Sequence, residues 1–317
     1  MSASENANIK VHRRPIIAPY NDQEAILIPN PEVFRRKLHD LVNGGSHNVE
    51  VISDYDFTLS RFRIGNQKGK STYQVVEAGA LSGDKLQETH DLYSYYHPIE
   101  VDPHIPHDEK ERLMHEWWDK SNEIILSVDI HRSMLYDFIM DSNLHLRHGV
   151  DRVLHHCDRN LIPFTIISAG CGNIIEVSLE EYLEHEKLEI HSNFMIGDCE
   201  GRYTHWSEPA LRTLNKNLVL RDRPVKPNII LLGDMISDIK MIEHATYNDA
   251  LKIGFLNEPS SYVLDAYKEA YDILILNDGN MSLIELILSL VTGEAFNIDD
   301  YPSLQALKDY LPSLVRN

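Results

Sequence analysis

The sequence predicts an α/β fold in which helices cover both faces of a parallel sheet and a helical insert interrupts the chain. Six short runs of apolar and β-branched residues recur, and helical patterns separate most of them. Strands that alternate with helices are typical of a parallel sheet, and nearly continuous apolar strands are typical of a sheet buried on both faces. The segment 66–147 has almost no such run and is rich in charged and aromatic residues. We therefore expect it to form the helical insert.

The core elements follow one another in a regular order. Residues 1–29 are mixed in character, and we expect a loosely attached arm. The first helix is predicted to begin at Pro31 after a capping Asn30 and to end at the glycine pair 44–45, the usual places for these residue types. Core strands are predicted at 47–54, 161–170, 188–195, 228–234, 251–257 and 271–278. Core helices are predicted at 173–186, 208–217, 236–246, 260–270 and 281–292.

Two helices are predicted inside the insert. Over 108–128 the apolar side chains recur at helical spacing and include Trp117 and Trp118. A second helix is predicted over 131–140. Because aromatic side chains on such a stripe are more often core than ligand contacts, packing alone could explain both tryptophans.

Composition and charge exclude several functional classes. The chain has 317 residues, and its 49 acidic and 30 basic side chains give a formal net charge of −19. This balance argues against a protein that binds nucleic acid or an anionic membrane, because no basic stripe would neutralise phosphates. The three cysteines are too few, and odd in number, for a disulfide framework. Since the first residues lack an apolar signal core and no stretch reaches 18 apolar residues, we expect a cytoplasmic location.

Acidic or small side chains follow three of the predicted strands where each strand ends. Asp54 and Asp56 follow the first strand, Asp234 and Asp238 follow a later one, and the small residues 168–170 end another. Ligands bind at the carboxyl ends of strands in open α/β sheets. Carboxylates gathered there would repel one another, so we expect Mg²⁺, which prefers carboxylate, water and phosphate oxygens. The same residues could instead cap the turns and helices that follow, as Asp often does.

The spacing of Asp54 and Asp56 allows two roles in one site. Residues two apart on an extended segment point the same way. One carboxylate can attack as a nucleophile, while the other protonates the leaving oxygen and later activates water. A neighbouring hydroxyl and a lysine would bind the phosphoryl oxygens and offset their charge.

Longer strings of residues resemble a known family. The string DYDFTLS at 54–60, the strand ending at Ser168, a lysine and GDMISD at 233–238 resemble the four motifs of the haloacid dehalogenase-like (HAD) phosphatases. Further strings are similar to the cytosolic 5′-nucleotidase III family: YYHPIEVDP at 95–103, HEWWDKS at 115–121, ISAGCGNIIE at 167–176 and ILLGDMISDIKM at 230–241. The resemblance spans residues 30–290.

The resemblance implies a HAD-like Rossmannoid core and an enzymatic function. The core would comprise 30–65 and 148–317, and 66–147 would be an α-helical cap domain that sets substrate specificity. The implied reaction is Mg²⁺-dependent hydrolysis of a nucleoside 5′-monophosphate through an aspartyl-phosphate, by a monomer that acts on a small molecule. The family includes pyrimidine 5′-nucleotidases, with substrates such as UMP and CMP, and a relative that hydrolyses N7-methyl-GMP. A phosphatase for a non-nucleotide monoester and a nucleoside phosphotransferase remain alternatives, because the same acidic residues would serve them.

The resemblance also implies roles for the acidic residues. Asp54 would be the nucleophile and Asp56 the general acid and base. The metal would be held by the Asp54 side chain, the backbone carbonyl of Asp56 and Asp234, with Asp238 orienting the metal site.

Phosphate-binding residues are implied in the same way. Ser168, Ala169 and Lys216 would bind the phosphoryl group. The assignment of Lys216 depends on an Asn-Lys dipeptide alone, so Lys187 and Lys226 remain alternative lysines.

Two residues of the insert are implied to contact the nucleobase. Glu116 would accept hydrogen bonds from the base, and Trp118 would stack on its ring. Glu116 could instead form a solvent-facing ion pair with Lys120, one helical turn later.

Overall fold

The structure, a computed structural model, describes residues 16–102 and 104–310 and is built around one large sheet. The strands are β1 (Ala25–Leu27), β2 (Val49–Ser53), β3 (Arg63–Ile64), β4 (Gln67–Lys68), β5 (Phe164–Cys171), β6 (Leu188–Asn193), β7 (Met195–Gly197), β8 (Tyr203–Trp206), β9 (Asn228–Gly233), β10 (Asp249–Leu256) and β11 (Ile273–Leu276). Seven of them form the sheet in the order β1-β11-β10-β9-β2-β5-β6. All neighbours pair in parallel except β1, which runs antiparallel to β11 at one edge. The predicted α/β fold with a parallel sheet is confirmed, and β2 is an interior strand between β9 and β5.

Helices and irregular segments cover the two faces of the sheet. The helices are α1 (Pro31–Gly44), α2 (Thr72–Ala80), α3 (Gly83–Val101), α4 (His107–Leu126), α5 (Leu135–Ser142), α6 (Val150–Arg159), α7 (Gly172–Ser178), α8 (Ser261–Ala270) and α9 (Ser282–Thr292). Successive residues of β2 point to opposite faces. Val51 packs with apolar side chains of α1, α6 and α9, and Ile52 packs with Leu220 of a turn and Met241 of a 3₁₀ helix. Among the helices in the described ranges, none has both the length and the apolar content needed to cross a bilayer.

One predicted core helix is wrong, and two others are shorter than expected. Residues 208–217 form a loop that ends in a 3₁₀ turn, because side-chain amides replace helical hydrogen bonds there. Asn215 accepts a hydrogen bond from the N–H of Arg212 at 2.6 Å, and Asn193 accepts one from the N–H of Leu211 at 2.7 Å. Residues 236–242 form a 3₁₀ helix where an α-helix over 236–246 was predicted. The helix predicted over 173–186 ends as an α-helix at Ser178.

Part of the predicted N-terminal arm belongs to the sheet. Ala25–Leu27 form β1, paired with β11, where a loosely attached segment was expected. Glu24 is buried just before this strand and accepts a hydrogen bond from Ser282 at 3.0 Å, at the start of α9. The arm residues 1–15 lie outside the described part of the chain.

The helices of the insert pack in a second apolar cluster, which also includes side chains from the end of β5 and from α7. Both predicted insert helices are present, as α4 and as α5 with a preceding 3₁₀ turn. Side chains of α2, α4 and α5, such as Val75, Ile125 and Phe138, form one apolar cluster. Met195 and Trp206 of the β7–β8 hairpin join this cluster, although the hairpin follows β6 of the large sheet. The helices of the insert therefore pack against the β7–β8 hairpin, a contact that the sequence did not predict.

Candidate active site

The turn after β2 places two carboxylates on the side of the chain opposite a buried tyrosine. Tyr55 is fully buried, and its hydroxyl lies 2.5 Å from Oγ of Ser178. The backbone N–H groups of Leu59 and Ser60 both donate to the carbonyl of Tyr55, which closes a tight turn. Because side chains alternate along extended chain, Asp54 and Asp56 lie on the side opposite Tyr55.

Adjacent strand ends bring three carboxylates together. The N–H of Asp54 donates to the carbonyl of Leu232 at 3.0 Å, which fixes the end of β2 against β9. Asp234 follows β9 directly, and Asp238 lies in the 3₁₀ helix after it. One carboxylate oxygen from each of Asp54, Asp234 and Asp238 lies within 4.8 Å of the other two. These three residues, which we call the acidic cluster, are three of the four carboxylates that the sequence expected at this edge, and Asp56 is the fourth.

Lys216 is the lysine that reaches the acidic cluster. Its Nζ lies 2.6 Å from Oδ1 of Asp54 and 2.9 Å from Oδ1 of Asp238, and its side chain is buried. Lys187 instead forms an ion pair with Glu186, its neighbour in sequence, and is partly exposed. The backbone N–H of Lys226 donates to Glu50 near the start of β2, which is the end remote from Asp54.

Burial and mutual repulsion dominate the electrostatics of the cluster. Burial raises the pKa of Asp54 to about 7, with Asp238 adding to the shift and Lys216 opposing it. The pKa of Asp234 is raised well above its usual range by burial and by the charges of Asp54 and Asp238. Burial lowers the pKa of Lys216, but Asp238 and Asp54 outweigh that effect and raise it overall. One lysine against three carboxylates leaves excess negative charge, so the cluster suits a hard divalent cation with oxygen ligands.

Asp56 turns towards the insert. Its carboxylate accepts hydrogen bonds from the N–H and the hydroxyl of Thr72, at 2.7 and 3.0 Å, at the first residue of α2. Burial raises the pKa of Asp56 to about 6, although the bonds from Thr72 oppose the shift. A carboxyl group with a pKa near neutrality can both donate and accept a proton, as a general acid and base must.

The small residues at the end of β5 leave room for these contacts. Oγ of Ser168 is buried and accepts a hydrogen bond from the N–H of Gly170 at 3.1 Å. A Cβ atom on Gly170 would lie 2.0 Å from Oγ1 of Thr72 and 2.6 Å from Oδ2 of Asp56, so a larger residue would break their bond. The carbonyl of Ala169 accepts from the side chain of Asn193 at 2.9 Å. Ser168, Ala169 and Asp56 are therefore neighbours at the strand ends.

Three rings form an aromatic cluster next to the carboxylates. Tyr73 follows Thr72, and its ring centroid lies 5.2 Å from that of Trp118 and 5.9 Å from that of Trp206. The centroids of Trp118 and Trp206 are also 5.9 Å apart. This aromatic cluster, Tyr73, Trp118 and Trp206, joins α2, α4 and β8 on the insert side of the site.

Glu116 and Trp118 lie on different faces of α4. Oε1 of Glu116 lies 2.6 Å from Nζ of Lys120, and its other oxygen lies 3.7 Å from Arg112. Residues two apart in an α-helix are rotated by roughly 200° about the helix axis, so their side chains point to nearly opposite faces. The structure therefore brings Trp118 to the aromatic cluster and leaves Glu116 in an ion-pair network along the helix.

Sequence reasoning missed Tyr73 and Trp206 of the aromatic cluster and two further residues of α2. Thr72 binds Asp56, and the spacing of Ser71 and Gln74 as a capping box could have predicted the start of its helix. Glu77 lies one helical turn after Tyr73, and burial raises its pKa to about 7. No sequence signal distinguishes Glu77 from an ordinary surface glutamate on α2.

Comparison with known proteins agrees with this geometry. Residues 57–292 match the family described as Pyrimidine 5′-nucleotidase (UMPH-1), and the match begins directly after Asp56. A 7-methylguanosine phosphate-specific 5′-nucleotidase A from Xenopus laevis is 29% identical over 286 residues, covering 87% of this chain and 99% of the relative. A 7-methylguanosine phosphate-specific 5′-nucleotidase from Homo sapiens is 29% identical over 284 residues, covering 86% of this chain and 95% of the relative.

Solved structures show the same relationship. The crystal structure of cytosolic 5′-nucleotidase IIIB bound to cytidine has a TM-score of 0.71 and 27% identity, covering 84% of this chain and 93% of that one. A HAD-family hydrolase from Salmonella enterica serovar Typhi shares the fold, with a TM-score of 0.52 at 17% identity, over 82% of this chain and 81% of that one. Since the family match covers well over half of the chain, this protein belongs to the pyrimidine 5′-nucleotidase (UMPH-1) family, and the names of the family and its relatives identify it as a phosphoric monoester hydrolase.

Proposed function

We propose that this protein hydrolyses nucleoside 5′-monophosphates to a nucleoside and inorganic phosphate. The observation that carries the proposal is the buried contact of Lys216 with Asp54 beside Asp234, at the strand ends of a chain in this family. The family description supports pyrimidine nucleotides such as UMP and CMP as substrates, and the names of the relatives support N7-methyl-GMP as a substrate. The name of the cytidine-bound neighbour, a cytosolic 5′-nucleotidase, supports a cytosolic location and a small-molecule nucleotide as the substrate.

The proposed chemistry proceeds in two steps. The carboxylate of Asp54 attacks phosphorus, the bond from phosphorus to the nucleoside oxygen breaks, and Asp56 gives its proton to that oxygen. Asp56 then takes a proton from water, whose oxygen attacks phosphorus and releases phosphate from Asp54. Ser168, Ala169 and Lys216 would hold the phosphoryl oxygens through both steps. The raised pKa of Asp56 supports its role, because a group that titrates near neutrality can move a proton in both directions.

The proposed cofactor is Mg²⁺, held by the side chains of Asp54 and Asp234 and the backbone carbonyl of Asp56, with Asp238 orienting the site. The excess of carboxylates over lysine in the acidic cluster supports this assignment. When bound, the ion would offset the negative charge of the phosphoryl group and of the carboxylates that face it.

The helices of 66–147 would serve as a cap that confers base specificity. The aromatic cluster supports this part of the proposal, because Tyr73 links it to Thr72 and so to Asp56. Trp118 is proposed to stack on the base. The role of Glu116 in base recognition stays a prediction, since its carboxylate is paired with Lys120.

The test of this function is phosphate release from UMP, CMP, AMP, GMP and N7-methyl-GMP, with Mg²⁺ and with a chelator. Release from at least one pyrimidine nucleotide or from N7-methyl-GMP, lost with the chelator, is expected. Added nucleoside that captures the phosphate would identify a phosphotransferase instead. Release from simple monoesters but from no nucleotide would contradict the proposal.

Replacing Asp56 with asparagine is expected to lower turnover on the order of 10²–10⁴-fold. An amide cannot protonate the leaving nucleoside, although its oxygen can still accept the backbone N–H of Thr72 and its NH₂ group can donate to the Thr72 hydroxyl. The measurement compares kcat for UMP with kcat for an aryl phosphate whose leaving group needs little protonation. The loss should be smaller for the aryl phosphate, and equal losses would remove the acid role from Asp56.

Replacing Trp118 with leucine is expected to impair N7-methyl-GMP more than UMP. The methylated base is a cation, and its attraction to an indole face is worth roughly 0.5–2 kcal/mol. The difference in kcat/KM between the two substrates should therefore reach up to about thirtyfold. An aryl phosphate, which lacks a base, is the control and should change little. Equal losses for all three substrates would mean that Trp118 only packs against Tyr73 and Trp206.

A further inference from the structure

The two segments that connect the insert to the core meet at a buried ion pair, Arg147 and Asp278. The segments run side by side, because the N–H of Arg61 donates to the carbonyl of His145 at 2.9 Å. Arg147 ends the returning segment, and its side chain is fully buried. Its guanidinium lies 4.4 Å from the ring centroid of Phe255, which covers one of its faces.

Every N–H donor of the Arg147 guanidinium has an acceptor. A guanidinium has five such donors in a fixed plane. The five acceptors are two side-chain oxygens and three backbone carbonyls, those of Asp278 (2.8 Å), Asn257 (2.6 Å), Thr58 (2.7 Å), Gly279 (2.7 Å) and Phe57. A lysine has a single nitrogen and cannot reproduce this planar pattern.

Three of the groups held by Arg147 lie directly after the catalytic carboxylates. The side chain holds the carbonyls of Phe57 and Thr58, and the backbone N–H of Arg147 donates to the carbonyl of Leu59 at 2.8 Å. Phe57 has a φ of 62°, which is unfavourable for a residue with a side chain. Asn257 also donates to the Phe57 carbonyl, at 3.1 Å. These contacts stabilise a turn that would otherwise relax and move Asp56.

Asp278 fixes the outgoing segment to the same point. Its two carboxylate oxygens each accept a backbone N–H at 3.0 Å, from Phe62 and Arg63. Nε of Arg61 lies 2.9 Å from Oδ2 of Asp278. Both connections to the insert are therefore anchored to the core where the turn after Asp56 is held.

We propose that Arg147, held by Asp278, is a positioning residue for phosphoryl transfer: it fixes the turn 57–59 so that Asp54 and Asp56 keep one orientation towards the substrate. The inference rests on the proposed function, because it assigns Arg147 a part in that reaction. Arg147 would touch no reacting atom. Since displacement of a reacting group by about 1 Å can cost on the order of 10²-fold in rate, a looser turn should lower kcat more than it weakens binding.

The test compares Arg147→Lys with Arg152→Lys. Arg152 is the matched control, because two of its guanidinium nitrogens donate to the carboxylate of Glu285, at 2.6 and 2.9 Å. It lies in α6, away from the turn. Arg147→Lys should lower kcat by roughly 10–10²-fold for UMP and for an aryl phosphate alike, with KM changed by less than about threefold. Arg152→Lys should leave kcat within about twofold of the wild-type value. A normal kcat per folded molecule for Arg147→Lys would overturn the proposal, whatever its melting temperature.

A second variant covers the case in which Arg147→Lys does not fold. Asn257→Ala removes one contact to Arg147 and one to the Phe57 carbonyl and should lower kcat several-fold with KM unchanged. An unchanged kcat in this variant would also count against the proposal.

Amide hydrogen exchange separates failure of this inference from failure of the proposed function. Whichever of Arg147→Lys and Asn257→Ala folds should exchange faster than wild type over residues 57–60, and Arg152→Lys should not. If wild type releases no phosphate from any substrate, the proposed function fails and exchange alone decides whether Arg147 holds the turn. Unchanged exchange over 57–60 would overturn the positioning role.

Discussion

Phosphate release should fall on the order of 10⁴-fold or more when Asp54 is replaced with asparagine. An amide oxygen is too weak a nucleophile to attack phosphorus, so the first chemical step is lost. The fold should be retained, because burial already raises the pKa of Asp54 to about 7 and so makes its charge unfavourable in the folded protein. The measurements are the initial rate of phosphate release and the melting temperature without added metal, which should not fall.

The matched control for this variant is Asp40→Asn. Asp40 is an exposed carboxylate on α1 that pairs with Arg36, and Arg36 also contacts Asp249 at the start of β10, the edge of the sheet opposite the acidic cluster. The control should keep wild-type activity and stability. A rate of phosphate release near that of wild type in Asp54→Asn would contradict the covalent mechanism. A large fall in its melting temperature would mean that unfolding explains the lost activity.

Replacing Lys216 with methionine should lower both activity and stability. Loss of one positioned donor to the phosphoryl oxygens should reduce kcat/KM on the order of 10²–10³-fold. Removing the cation leaves Asp54 and Asp238 buried without their partner at 2.6 and 2.9 Å. Breaking a buried ion pair in this way typically costs about 3–5 kcal/mol in the free energy of unfolding. Denaturant titration and steady-state kinetics measure the two effects separately.

The alternative lysines are the controls for this variant. Lys187→Met and Lys226→Met should have kcat/KM close to wild type, because neither residue contacts the acidic cluster. If one of these variants loses activity while Lys216→Met keeps it, the phosphate-binding lysine has been misassigned.

The sequence predicted the acidic cluster because its position depends on topology more than on side-chain detail. Parallel strands end at one edge, so Asp54 and Asp234, which each follow a buried apolar strand, had to lie close together. The pairing of β2 with β9 confirms that placement. Lys216 was harder to identify, since it reaches Asp54 from a loop whose path is set by contacts of Asn193 and Asn215.

The sequence could not predict contacts that depend on tertiary packing. The bond of Thr72 to Asp56 exists because α2 of the insert begins against the strand ends, which no local pattern shows. Helical periodicity alone already placed Glu116 beside Lys120, and the structure agrees with that pairing. The helix predicted over 208–217 is wrong because the side-chain amides of Asn193, elsewhere in the fold, and of Asn215, within the segment, accept its backbone N–H groups.

The central claim is that Asp54 accepts the phosphoryl group, and trapping that group on the protein tests it most directly. Wild-type protein mixed with UMP labelled in its phosphate, or with whichever nucleotide it hydrolyses fastest, is quenched in acid within one turnover and digested. The account predicts label on the peptide that contains Asp54, less label as turnover completes, and none in Asp54→Asn. Full phosphate release with no label on that peptide, or label on another residue, would contradict it.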